Sequence, residues 1–171
     1  MAVIIIAGLA AIGAFLILLP SPPRGVSGRY GLVAVALAAL AVALLLVGVV
    51  SNTFVRHVVQ IVPLIAALAT WSWRREWAVI AAAPLFVFWL LVMVSIWLFL
   101  LGIARIFTGT FTSAEIALTV VIALSAAAGL FGTFRQQHPS SLGPKAAVVL
   151  GFTMLQLGAM VISFLPAVAR R

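Results

Sequence analysis

Charge interrupts this chain at few points, and the uncharged stretches between them run over 1–23, 30–55, 57–73, 77–104, 116–134 and 146–169. A helix that crosses the hydrocarbon core of a bilayer needs about 20 mostly apolar residues. Six runs of 17 to 28 residues meet that length. A transmembrane β-barrel would show shorter segments that alternate apolar and polar positions, and the chain has no such alternation. In lipid every backbone polar group must be paired within the protein, which leaves a helical bundle for any spanning chain that is not a barrel. The predicted fold class is therefore all-α, a polytopic membrane helical bundle forming a single integral membrane domain over 1–171. Six transmembrane helices are expected, near 2–19, 30–50, 54–73, 77–101, 115–134 and 146–166. The alternative is five spans, with the third run re-entrant.

Composition closes off other classes. Charged residues are 7% of the chain and mean hydropathy is +1.37, whereas soluble domains carry about a quarter of their residues as charge. Glu76 and Glu115 are the two carboxylates, and there is no Asp. In a soluble chain a net charge of +8 would suggest nucleic acid. Here the basic residues stand at the ends of the apolar runs, where Lys and Arg set orientation and meet anionic headgroups. The expected partner is thus the lipid bilayer, with other membrane subunits or further copies of the chain beside it, and no nucleic acid. The absence of Cys excludes disulfides, thiolate metal sites and cysteine redox chemistry. Nine Arg to one Lys with abundant Ala suggests a GC-rich bacterial genome, and so a bacterial inner (plasma) membrane.

The first run lacks the basic region that precedes a signal peptide's apolar core. Pro20-Ser21-Pro22-Pro23 then stops it, so it is expected to remain as a first span. With six spans, Arg24, Arg29, Arg74, Arg75, Arg135 and Lys145 fall on one face of the membrane, and Arg56, Arg105, Arg170 and Arg171 on the other. The richer face is cytoplasmic by the positive-inside rule, which puts both termini outside. Tyr30, Trp71, Trp73 and Trp77 gather at that face as an aromatic belt would. The long fourth run should tilt, or bend at Pro84. Small residues that let helices approach in lipid occur as Ala34/Ala38, Ala39/Ala43, Ser125/Gly129, Ala128/Gly132 and Gly151/Gly158, and intramolecular packing is the reading for them.

Arg56, His57, Gln60 and Glu115 are the candidate polar or ligand site. Ionisable groups inside a span face a bundle interior or a wet cavity. Arg56 and Gln60 are four apart and share a helix face, and Pro63 removes a backbone donor one turn on. The structural alternative has Arg56 and His57 at headgroup level with Gln60 bonded to a neighbouring helix. Thr112-Ser113-Ala114-Glu115 reads as a capping box, and Glu115 is the carboxylate on the Arg56 side, near enough to pair with it. Glu76 suits a helix start. Thr153 and Gln156 read as interhelical bonds, and Phe86, Phe88, Trp89, Trp97 and Phe99 as packing or lipid-facing surface. His57 and His138 face opposite membrane surfaces, so no metal and no cofactor is expected. Ser95, Ser125 and Ser163 lack a local base, so no catalytic residue is assigned. Two functions follow. The leading one is a non-catalytic accessory, scaffold or assembly component of a membrane complex. The alternative is a transporter or binding protein for a small molecule or lipid, with its polar site at Arg56, Gln60 and Glu115 in the outer leaflet.

Overall fold

The computed structural model describes residues 27–105, 109–136 and 141–169. Among the described residues the regular elements are all helices: α1 Ser27–Val50, α2 Phe54–Trp73, α3 Arg75–Leu100, α4 Ser113–Phe134, α5 Leu142–Ser163 and a final turn, α6 Pro166–Ala169. Five of these, α1 to α5, are long and apolar enough to cross a membrane, and the protein is a membrane-embedded helical bundle. The first run, 2–19, lies outside the described residues, as do Arg24, His138, Arg170 and Arg171. The run at 54–73 is one unbroken 20-residue helix with Pro63 inside it.

Local chemistry explains each boundary. After α1, Asn52 takes φ 60°, the left-handed conformation that Asn tolerates best among side-chain-bearing residues. The Thr53 and Asn52 amides then donate to the carbonyls of Gly48 and Val49, a Schellman cap that reverses the chain in three residues. Gly102, at φ 73°, ends α3 in the same way, with Ile103 and Gly102 donating to Leu98 and Phe99. At the start of α4, Thr112 Oγ1 accepts from the Glu115 amide, and Glu115 Oε2 accepts from the Thr112 amide at 2.7 Å. This is the predicted capping box, and it starts the helix at Ser113 rather than 115. The last span also differs from expectation. It begins at Leu142, because Pro144 sits in the first turn, where no amide needs an intrahelical partner. It stops at Ser163, because Pro166 cannot continue a helix and biases the residue before it away from one.

Four helices form a square in which α1 touches α4 and α2, and α3 touches the same two from the opposite corner. The fifth, α5, lies outside the square in the groove between α2 and α3. In lipid, association depends on close packing rather than on hiding apolar surface from water. Gly129 supplies the closest approach: a Cβ there would stand 2.2 Å from the Phe86 ring, and that ring is fully buried. Gly132 gives Val33 of α1 similar room, and Gly48 admits His57. Gly151 and Gly158 behave differently from expectation, since none of the described residues lies within 4 Å of the Cβ position of either. They sit on helix surface that α5 turns away from the bundle.

Candidate functional site

At about 1.5 Å per residue, the 26 residues of α3 exceed the 20 of α2 by about 9 Å. Both helices spring from the hinge at Arg74, so the far end of α3 stands beyond the start of α2. The start of α4 and the end of α5 face this overhang, and the result is a cleft of about 610 Å³ at that end of the bundle. Arg56, His57, Gln60 and Glu115 all line it, with Thr112 and Thr119. Leu44, Trp89, Met93, Ile122, Met160 and Phe164 supply apolar wall. Spacing joined Arg56 to Gln60, and membrane side joined Glu115 to them; the fold brings these residues to one cleft and adds side chains of α5 that were not anticipated.

Gln60 is 3% exposed. Its amide nitrogen donates to Ser163 Oγ at 3.0 Å and approaches Met160 Sδ at 3.4 Å. Ser163 in turn donates to the Met160 carbonyl at 2.7 Å, so its one proton is spent locally and its lone pair serves Gln60. The anticipated interhelical bond of Gln60 is therefore present.

Arg56 is half-buried and its guanidinium carbon lies 3.9 Å from the centre of the Phe164 ring. A cation over an aromatic face gains about 0.5–2 kcal/mol, but this contact uses none of the guanidinium's N–H groups. Its Nε is buried without a hydrogen-bond partner among the described residues. The expected pairing with Glu115 is not made directly. Glu115 instead spends Oε2 on the Thr112 amide and, at 2.8 Å, on the Thr112 hydroxyl. The cap holds the carboxylate at the cleft through Oε2, and Oε1 takes no part in it. Arg56 and Glu115 share the cleft without touching.

His57 Nδ1 lies 3.1 Å from the Thr53 carbonyl oxygen and 3.2 Å from Thr53 Oγ1. A carbonyl only accepts, so in the neutral ring the proton is on Nδ1 and Nε2 keeps its lone pair. This ties His57 to the α1–α2 corner, where Ser51 and Thr53 hydroxyls also bond. No group of three potential metal ligands occurs among the described residues.

Trp89 is part of the buried apolar core, the packing role expected of it, and it also reaches the cleft. It lines the cleft at 2% exposure, and its indole N–H has no partner among the described residues. Gln156, expected to bond between helices, is buried with neither amide atom paired among the described residues. Thr153 bonds within its own helix, to Val149. At the opposite end of the bundle, Tyr30 meets Trp71 edge-on at 6.3 Å, and Arg74, Arg75, Glu76 and Trp77 frame a hollow of about 410 Å³ with Tyr30.

The cleft's chemistry is thus lopsided. Arg56 brings a permanent cation near its mouth, and Glu115, the one carboxylate among the lining residues, has Oε2 engaged by the cap. Compared with known proteins, the chain matches no protein-family model, no curated protein and no solved structure.

Proposed function

We propose that this protein binds a phosphate-bearing amphiphile in the cleft, with the anionic group at Arg56 and the apolar portion along α3 and α4. One observation carries the reading: Arg56 is half-buried in a cleft with partly apolar walls and makes no ion pair among the described residues. A guanidinium keeps its charge at any relevant pH, and a charge in poorly solvated surroundings calls for a counter-charge. Arginine suits phosphate particularly well, because its planar fork donates two parallel hydrogen bonds. A solid bundle end would have favoured the accessory role instead. That role is the second reading, favoured by α5, whose Gly151 and Gly158 meet none of the described residues and leave room for a neighbouring membrane subunit.

The setting we infer is a bacterial inner membrane, with a sixth span at 2–19, both termini outside and the cleft in the outer leaflet. The basic residues at the Arg75 end support that orientation through the positive-inside rule. The test is lipid retention by the purified protein, read by native mass spectrometry. Dioleoyl phosphatidylglycerol should be retained over dioleoylglycerol, which lacks the phosphate. Arg56→Gln should cut that preference about tenfold, the scale of one lost charged hydrogen bond. Arg105→Gln should leave it unchanged, since Arg105 is exposed and outside the cleft. Equal retention of the two lipids by the wild type would overturn the reading.

A further inference from the structure

Trp89 poses a problem that the reading above leaves open. A buried indole N–H is a donor with no acceptor role, and buried polar groups are paired in native proteins with few exceptions. Trp89 is 2% exposed and its Nε1 has no partner among the described residues, yet the residue lines the same cleft as Arg56. The hinge at Arg74 sets its level. Counted from that hinge, Trp89 on α3 and Gln60 on α2 stand equally deep to within one residue. Arg56 lies one helical turn, about 6 Å, nearer the cleft opening than Gln60. The cleft lining therefore carries a permanent cation near its mouth and, one turn deeper, Trp89 with its unpaired neutral N–H; Leu44, Met93 and Ile122 also belong to the wall.

We infer that the amphiphile is an ester-linked glycerophospholipid, whose phosphate meets Arg56 and whose glycerol ester carbonyl accepts from Trp89 Nε1. This rests on the phosphate-binding reading and adds the class of ligand. Three features of such a lipid match the order of groups in the cleft. The phosphate is anionic and outermost. The ester carbonyl is a neutral acceptor a few bonds deeper, and it cannot donate. The acyl chain begins immediately below it, where the wall becomes apolar. Inorganic phosphate would satisfy Arg56 and leave Trp89 unpaired. A fatty acid has no second acceptor at the required depth. Gln60 does not compete for the carbonyl, because its amide nitrogen is directed to Ser163 and Met160.

The test compares two phosphatidylglycerols with matched chains, one joined by ester and one by ether linkages, on the full-length protein in detergent micelles. The ether lipid keeps the charge and the chains but loses the carbonyl. Wild-type protein should hold the ester lipid about three- to tenfold more tightly, the range of one neutral hydrogen bond. Trp89→Phe should abolish that difference while still binding both lipids through Arg56. The wild-type comparison needs no variant, so a misfolded Trp89→Phe protein would not obscure the result. Equal affinity of the wild type for ester and ether lipid overturns the inference and leaves phosphate binding at Arg56 intact. Saturation of the cleft by inorganic phosphate alone, with no gain from the lipid, overturns it as well. Binding of neither phosphatidylglycerol would instead sink the underlying reading.

Discussion

Gly129 is the residue on which the packing of α4 against α3 turns. The Phe86 ring occupies the space where a side chain would begin, 2.2 Å from a notional Cβ, and it is fully buried, so it has no free volume to retreat into. Gly129→Ala should therefore destabilise the bundle by about 1–3 kcal/mol, the usual cost of overpacking, despite Ala's better helix propensity. Gly151→Ala on α5 meets none of the described residues within 4 Å and should be neutral or slightly stabilising. Thermal unfolding in detergent separates the two, and Phe86→Leu should recover part of the Gly129→Ala loss. The sequence marked Gly129 as a small-residue contact and marked Gly151 and Gly158 equally. Spacing cannot tell them apart, because in lipid the outward face of a helix is as apolar as the inward one.

At the scale of helices, α5 is the loosest element. Its buried residues are Gln156, Ala159 and Ser163, and its ties to α2 are the Gln60–Ser163 bond and the stacking of Arg56 on Phe164. Interhelical hydrogen bonds in membranes contribute about 0.6 kcal/mol on average and up to about 1.7. A double-mutant cycle with Gln60→Leu and Ser163→Ala should give a coupling energy in that range, measured by unfolding in mixed micelles. Coupling indistinguishable from zero would mean that α5 docks by shape alone. The capping box at Thr112 and Glu115 was legible because all its partners lie within four residues, where sequence spacing dictates geometry. So was the α1–α2 corner at Ser51-Asn52-Thr53. Ser163, Met160 and Phe164 were not legible, because they meet Gln60 and Arg56 across about 100 positions of chain. Trp89 was hidden for a related reason: an aromatic residue in a uniformly apolar run carries no mark of the face it takes.

Over the whole molecule, a short α2 beside a long α3 leaves one end of the bundle open, and α4 and α5 close two of its sides. The opening collects Arg56, Gln60, Glu115 and Trp89 from three helices, while the opposite end gathers Arg74, Arg75 and Glu76 around Tyr30 and Trp77. The molecule is thus polar at two ends in different ways: exposed basic charge at one, and at the other a half-buried arginine with no ion pair among the described residues. The decisive property is whether Arg56 selects the lipid beside it in a bilayer. Photo-crosslinking from a benzoylphenylalanine placed at Ile96, which lines the cleft, reads this directly, with Leu124, on exposed helix surface, as the reference. In bilayers of mixed phosphatidylglycerol and dioleoylglycerol, adducts at Ile96 should be enriched in the phospholipid above its bulk fraction, and Arg56→Gln should remove the enrichment. Adducts at Ile96 and Leu124 with the same composition would contradict it.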